Sequence, residues 1–273
     1  MTARILHVSD LHTGIREHPD VEAALAALVE RVQPELVVAS GDLSHRGRRA
    51  QLERAHRFLS SLGPPVLAVP GNHDLPHAFP SRFTHPYAEF ERLWGTAEPT
   101  YASASLHVVG LDSTRPYRHQ SGALRDEQLR RAAERLAGAA GTAYRVVVFH
   151  HHLLGSPWRA ARKKPLARRS EVLLALAGAG ADLIVGGHIH QAAMGERHEF
   201  EVVGGDVRAT VVSVAPGFGQ PRPNRLGEAR GLQLYEVDES TLTALTYLWR
   251  DGGWALAAER RFPRGAGPLA THS

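Results

Sequence analysis

Asp, Asn and His residues lie in five short polar segments of this 273-residue chain, and each segment follows an apolar run. Carboxylate, amide and imidazole groups are ligands for hard-to-borderline divalent metal ions. Two such ions side by side specify a reaction type, the attack of an activated water on a phosphoester. The segments are Asp10-Leu11-His12, Gly41-Asp42, Gly71-Asn72-His73-Asp74, His150-His151-His152 and Gly187-His188-Ile189-His190.

The spacing within these segments suits metal ligation. Asp10 and His12 are separated by one residue, so in a turning segment both side chains can reach one ion. Asp42 has two carboxylate oxygens and can bridge two cations. His188 and His190 flank an apolar residue, and alternate residues of an extended backbone point the same way.

Two further segments divide into ligands and supporting residues. Asn72 is a neutral oxygen ligand, and the following His73 could face a substrate. Asp74 could orient His73 through its second ring nitrogen. Among three consecutive histidines, His150 is the favoured ligand because it comes first after the apolar run, and we expect His151 to support the ligands or the fold.

Short apolar runs alternate with amphipathic helices, which predicts an α/β fold with a largely parallel sheet. The polar segments come just after predicted strands, and the carboxyl ends of parallel strands form the crevice where ligands bind. We therefore expect the five segments to converge. The predicted strands are 4–9, 36–40, 66–69, 106–111, 145–149 and 183–185, and the predicted helices are 20–33, 51–62, 126–136 and 169–177.

The C-terminal third has a different pattern, with strands and little helix. Strands are predicted at 201–203, 207–214, 232–237 and 241–248, with turns at 204–206 and 238–240. This pattern predicts a second, mixed or antiparallel sheet that follows the α/β half. We expect one domain over 1–263 and a flexible tail over 264–273.

The composition of the chain excludes several kinds of site and several classes of protein. The chain has no cysteine, which excludes disulfides, thiolate metal sites and cysteine nucleophiles. The N-terminal apolar run is too short for a signal peptide, and no stretch reaches the ~20 apolar residues of a membrane span. We expect a cytoplasmic protein without membrane contact. The net charge of +4, with Arg concentrated over 159–169, would favour an anionic substrate, although a general preference for Arg over Lys explains it equally well.

In order and content, the five segments resemble the calcineurin-like metallophosphoesterase superfamily, whose pattern is D-x-H, G-D, G-N-H-D/E, H and G-H-x-H. Every element is present over residues 10–190. The chain is most similar to the bacterial branch that contains class III cyclic nucleotide phosphodiesterases. Ser44-His45 and Leu153-Leu154 depart from the residues often found in that branch. The resemblance implies a four-layer αββα sandwich of two mixed β-sheets flanked by helices.

The resemblance also implies a role for each residue at a centre of two metal ions, Mn, Fe or Zn. Water activated by the metals would attack phosphorus, and His73 would stabilise developing charge or protonate the leaving oxygen. Asp42 would bridge the ions. One ion would be held by Asp10, His12, Asp42 and His190, and the other by Asp42, Asn72, His150 and His188.

The expected substrate is a small phosphodiester, a 3′,5′-cyclic nucleotide or similar molecule. Loops 75–85, 153–169 and 215–230 would frame the pocket, with His45, His77, Arg82 and Trp158 as candidate contacts. For His45 and the basic loop residues, a solvated surface position is the alternative reading.

Other functions compatible with the segments are a phosphomonoesterase or broad-specificity phosphoesterase, a nuclease, and a non-catalytic metal-binding scaffold. Long heptads and a large insertion, which nucleases of the superfamily often carry, are missing from the sequence. We expect no stable nucleic-acid partner, and the sequence leaves the oligomeric state open.

Overall fold

The computed structural model describes residues 2–154, 163–199, 209–219 and 230–264, and over these residues the strands form two six-stranded sheets. The first sheet contains β1 (Ala3–Val8), β2 (Leu36–Ala39), β3 (Val66–Ala68), β10 (Gly231–Val237), β11 (Thr241–Arg250) and β12 (Gly253–Pro263). The second contains β4 (Thr100–Ala102), β5 (Leu106–Gly110), β6 (Tyr144–Val148), β7 (Leu183–Gly186), β8 (Ala193–Glu196) and β9 (Val211–Val214).

Both sheets are mixed. The first has the order β12-β11-β10-β1-β2-β3, and the second has the order β4-β5-β6-β7-β9-β8. Strands β1, β2 and β3 run parallel, while β10 pairs with β1 antiparallel, with Ile5 opposite Tyr235. In the second sheet β5, β6, β7 and β9 run parallel and the two outer strands are antiparallel. The carboxyl ends of the parallel strands thus lie at one edge of each sheet.

Helices cover the outer face of each sheet. Val8 of the first sheet packs in one core with Leu25 and Phe58, and Ile184 of the second sheet packs in another with Leu136 and Leu176. A third core fills the space between the sheets. The layers are therefore helix, sheet, sheet, helix, as the sequence resemblance implied. The helices are α1 (Pro19–Val32), α2 (Arg49–Ser60), α3 (Ser81–Thr84), α4 (Ala88–Trp94), α5 (Asp126–Ala137) and α6 (Arg169–Gly178), followed by a 3₁₀ turn at Arg197–Glu199.

The C-terminal strands differ from the sequence prediction. They do not form a separate sheet, because β9 completes the second sheet and β10 to β12 extend the first beyond β1. The alternation of apolar residues identifies a strand but not its partner, and the open edge of β1 supplies one. Helices α3 and α4 and strands β4, β8 and β12 were also not predicted. The predicted strand at 201–203, the turn at 204–206 and the tail from 265 onward lie outside the described residues.

None of the described helices has the length and apolar character to cross a membrane.

A buried polar network links the two sheets below the polar segments. Tyr235 of β10 donates its hydroxyl proton to Ser213 Oγ of β9 at 2.7 Å. His7 Nδ1 lies 3.1 Å from the Tyr235 hydroxyl, and His7 Nε2 lies 2.8 Å from Ser40 Oγ. Since the tyrosine proton goes to Ser213, His7 donates from Nδ1 and accepts from Ser40. The network therefore ends one residue before the Gly41-Asp42 segment.

Replacing Tyr235 by Phe should leave Ser213 Oγ and His7 Nδ1 unpaired in the dry layer between the sheets. We expect the free energy of unfolding in urea to fall by about 1–3 kcal/mol. Tyr247→Phe is the matched control, because Tyr247 is a half-buried residue of β11 outside the network. A loss for Tyr235→Phe no larger than that of the control would contradict the role of the network.

Candidate metal centre

All five polar segments meet where the two sheets face each other at their carboxyl edges. The Asp10 amide donates to Gly41 O at 2.9 Å, and the His12 amide donates to Asp42 O at 2.9 Å. Across the sheets, the His188 amide donates to Asp10 Oδ2 at 2.9 Å. The fold therefore brings together segments that are up to 178 residues apart in the chain.

Three buried side chains form a first group that can hold a metal ion, namely Asp10, His12 and His190. His190 Nε2 lies 2.9 Å from Asp10 Oδ1 and 3.3 Å from His12 Nε2. Imidazole nitrogens that ligate one tetrahedral ion at 2.0–2.1 Å are roughly 3.3–3.4 Å apart. The separation of the two nitrogens thus matches that of neighbouring ligands.

A second group consists of Asp42, His150 and His188, which are also buried. His150 Nε2 lies 3.1 Å from His188 Nδ1 and 3.4 Å from Asp42 Oδ2. The same oxygen, Asp42 Oδ2, lies 3.7 Å from His12 Nε2 of the first group. The Asp42 carboxylate therefore lies between the two groups and can serve both.

Five of these candidate ligands have left-handed backbone conformations. The φ angles are +55° at Asp10, +49° at His12, +52° at Asp42, +73° at His188 and +56° at His190. This conformation costs a residue other than glycine roughly 1–2 kcal/mol. Such costs cluster at functional sites, where the surrounding structure enforces them. Here the unusual conformations turn each segment so that its polar side chains face the same space.

Glycine is required at two points of close approach. A Cβ on Gly71 would stand 2.2 Å from the backbone nitrogen of Asp42. A Cβ on Gly187 would stand 1.8 Å from Ser9 Oγ. Both distances are far below van der Waals contact, so the glycines that precede Asn72 and His188 allow the segments to pack together.

The chemistry of the site fits metal ions. Asp42 Oδ2 and both side-chain polar atoms of Asn72 are buried, and among the described residues none gives them a hydrogen bond. Although burial opposes ionisation, His150 and His73 hold the pKa of Asp42 well below its usual value. Burial also opposes the charged form of His150, but Asp42 and Asp10 raise its pKa to about 9. The carboxylates therefore favour a cation between them, and the oxygen and imidazole donors suit Mn, Fe or Zn.

His73 lies beside the first group, but Asp74 does not orient it. The His73 ring is half-buried, and its Nδ1 donates to the carbonyl oxygen of His45 at 2.7 Å. Asp74 instead accepts hydrogen bonds from the backbone amides of Leu43, Ser44 and Gly71, at 3.1, 2.7 and 2.9 Å. The predicted Asp74–His73 contact is therefore wrong, because the carboxylate turns toward the amides that follow Asp42 and precede Asn72.

The other supporting residue, His151, lies behind the second group. Its ring centroid is 4.6 Å from that of His188, and its Nδ1 lies 2.8 Å from Ser113 Oγ. His151 is fully buried, and burial lowers its pKa well below the usual value, so the ring is neutral. The His151 ring is thus held by Ser113 on one side and packs against His188 on the other.

The candidate substrate contacts fall in different places. His45 stacks on His73 with centroids 5.4 Å apart, so it lies at the site rather than on a remote surface loop. His77 is exposed and lies near His73. Arg82 is buried and donates to the backbone oxygens of Pro116 and Pro76, so it holds loops together, and its contact with a substrate stays a prediction. Trp158 lies outside the described residues.

One residue near the site, His119, was not predicted from the sequence. His119 lies in the loop after β5, and its ring centroid is 5.0 Å from that of His73. A single histidine in a polar loop carries no pattern in the sequence that would separate it from a surface residue.

Two buried Asp/His groups lie at the strand ends of an αββα sandwich, where they form a candidate centre for two metal ions. The chain belongs to the calcineurin-like phosphoesterase family, whose model matches residues 3–192. The matched residues include all five polar segments.

Curated relatives are similar over most or part of the chain. A 3′,5′-cyclic adenosine monophosphate phosphodiesterase CpdA from Pseudomonas aeruginosa is 30% identical over 236 residues, which cover 80% of this chain and 78% of that protein. A probable cyclic nucleotide phosphodiesterase from Synechococcus sp. is 31% identical over 55% of this chain, and the match spans only 58% of that protein's length.

Solved structures share the fold at low sequence identity. Purple acid phosphatase PPD1 from yellow lupin superposes with a TM-score of 0.73 and 13% identity, over 97% of this chain and 54% of that one. GAP50, described as the anchor in the inner membrane complex of Plasmodium, gives a TM-score of 0.67 and 12% identity over 97% and 90% of the two chains. These likenesses show the fold alone.

Replacing Asp74 by Asn should weaken metal binding although Asp74 does not face the candidate ligands. An amide offers one acceptor oxygen where the carboxylate offers two, so part of the support for the segments around Asp42 and Asn72 is lost. We expect metal affinity, measured by calorimetric titration, to fall about 10- to 100-fold.

The matched control is Asp238→Asn, because Asp238 accepts comparable backbone hydrogen bonds from Ser240 and Thr241 in an exposed turn. Equal metal affinity of the Asp74 variant and this control would contradict the supporting role.

Proposed function

We propose that the chain is a phosphodiesterase of small phosphodiesters, with 3′,5′-cyclic nucleotides as the leading substrate class. The observation that carries the proposal is the position of Asp42 Oδ2, 3.4 Å from His150 of one group and 3.7 Å from His12 of the other. A shared carboxylate between two ligand groups is an arrangement for a pair of ions acting on one phosphoryl group. The names of the two curated relatives support the cyclic nucleotide class.

The candidate ligands divide between two ions that share Asp42. Two bound ions, Mn, Fe or Zn, would activate a water and neutralise the phosphoryl oxygens. The first ion would be held by Asp10, His12, Asp42 and His190, and the second by Asp42, Asn72, His150 and His188.

The protein's own residues would do the remaining work. Because His73 Nδ1 donates to the His45 carbonyl at 2.7 Å, Nε2 is the ring nitrogen that remains for a contact with the substrate. The His73 centroid is 4.9 Å from that of His12, which places the ring at the edge of the first group. From there, His73 would donate a proton to the oxygen of the leaving group as its bond to phosphorus breaks.

Residues around His73 would contact the rest of the substrate. His45 stacks on His73, and His77 lies on its outer side with ring centroids 6.0 Å apart. Lys163 donates a hydrogen bond to the backbone oxygen of His188, so its positive charge lies close to the second group. This charge would favour an anionic substrate. A contact from Trp158 and a location in the cytoplasm stay predictions from the sequence.

The test is a substrate panel on protein reconstituted with Mn²⁺. We expect hydrolysis of bis-p-nitrophenyl phosphate and of cyclic AMP, faster than hydrolysis of the monoester p-nitrophenyl phosphate. Asp42→Ala is the negative control, and its fold is checked by circular dichroism. Failure to hydrolyse any diester would contradict the proposal, and a preference for the monoester would favour the phosphomonoesterase alternative.

The same panel separates the possible roles of His73 through the His73→Asn variant. Loss of a general acid should lower kcat for cyclic AMP about 10²- to 10⁴-fold, because an alkoxide leaves poorly without a proton. The loss should be much smaller for bis-p-nitrophenyl phosphate, whose phenolate leaves readily. An equal loss for both substrates would contradict proton donation and would favour charge stabilisation.

A further inference from the structure

We propose that His73, His77 and His119 form a third metal site, selective for zinc, and that its occupation inhibits the enzyme. One ring nitrogen from each of these three residues lies within 4.8 Å of the other two. The site is separate from the two ligand groups that share Asp42, but it uses the residue that we propose as the proton donor.

Two of the three histidines, His77 and His119, have the same relative geometry as a pair of candidate ligands around Asp42. His77 Nε2 lies 3.3 Å from His119 Nε2, the separation expected of neighbouring ligands on one tetrahedral ion. Their rings are 5.0 Å apart with an interplanar angle of 83°. The corresponding pair in the second group, His150 and His188, has a nitrogen separation of 3.1 Å, a centroid distance of 5.0 Å and an angle of 81°.

The third ligand, His73, makes a backbone hydrogen bond that leaves its Nε2 available to a metal ion. His73 Nδ1 donates to the His45 carbonyl, which can only accept, so the neutral His73 ring has a lone pair on Nε2. A hydrogen bond of this kind on the distal nitrogen is usual for histidine ligands. His119 Nδ1 faces the side-chain amide of Gln120 at 3.1 Å, and that amide can meet either tautomer by rotating.

A buried arginine holds the two loops of the site together. His77 and His119 are 42 residues apart in the chain. Arg82 donates from Nε to Pro116 O at 2.7 Å and from Nη1 to Pro76 O at 3.3 Å, and so ties the loop of His119 to that of His77. The two loops that carry the imidazoles are therefore held together before any ion binds.

The ligand set predicts which metal binds and how tightly. Three imidazoles without a carboxylate suit Zn²⁺, whereas Mn²⁺ prefers oxygen ligands. Burial, with a contribution from neighbouring positive groups, lowers the pKa of both His77 and His119. Arg82 and Arg46 oppose a further positive charge at His77, and only the more distant Asp42 carboxylate acts on His119 among the causes of its pKa shift. We therefore expect this site to bind zinc more weakly than the centre around Asp42.

Inhibition follows from competition for His73. An ion on His73 Nε2 occupies the nitrogen that would otherwise hold the proton for the leaving group. This part of the inference rests on the proposed function, while zinc binding itself does not.

The test compares the wild type with His119→Gln, His77→Gln and a matched control, His85→Gln. His85 is an exposed histidine of the same region as His77 and belongs to none of the ligand groups found among the described residues. Zinc per chain is measured by equilibrium dialysis at rising free Zn²⁺, and diesterase activity is measured in parallel at the same concentrations.

We expect three zinc ions per chain for the wild type and the control, and two for His119→Gln and His77→Gln. The free zinc that halves each variant's own activity should rise at least tenfold when either ligand is replaced. Two ions in the wild type at every zinc concentration, or three in His119→Gln, would overturn the site. If the stoichiometry follows the prediction while no diester is hydrolysed, the zinc site stands and the proposed function fails.

Discussion

The charge on Asp42 is the constraint on which the rest of the site depends. Its carboxylate is fully buried, and an ionised group without water around it needs cations and hydrogen-bond donors nearby. It faces His150 at 3.4 Å and His12 at 3.7 Å. Asp74 fixes the backbone that follows Asp42, and the missing side chain of Gly71 lets the neighbouring segment approach it.

The site forms because the sandwich stacks two sheets with their carboxyl edges together. The candidate oxygen ligands Asp10, Asp42 and Asn72 follow strands β1, β2 and β3 of the first sheet, whereas the candidate imidazole ligands His150 and His188 follow β6 and β7 of the second. Neither sheet alone has a complete set of donors. The hydrogen bonds that join the sheets directly below Asp42 therefore support the fold and the alignment of the ligands together.

The sequence predicted the segments well because each combines an apolar strand with polar residues at its end, and both signals are local. Partner choice is not local, so the pairing of β10 with β1 was missed. Arg82 was predicted only as a candidate substrate contact, because no pattern in the sequence shows that its guanidinium reaches the carbonyls of Pro76 and Pro116. His119 was missed since its neighbours in space come from a distant loop, and the contacts of Asp74 depend on backbone amides that the sequence does not display.

The most direct test of the shared Asp42 carboxylate is the electron paramagnetic resonance spectrum of the protein loaded with two equivalents of Mn²⁺. A carboxylate bridge between the ions predicts the signal of an exchange-coupled manganese pair, and this coupling should be lost or strongly weakened in Asp42→Asn. Two independent manganese signals in the wild type, or unchanged coupling in the variant, would contradict a centre built around Asp42.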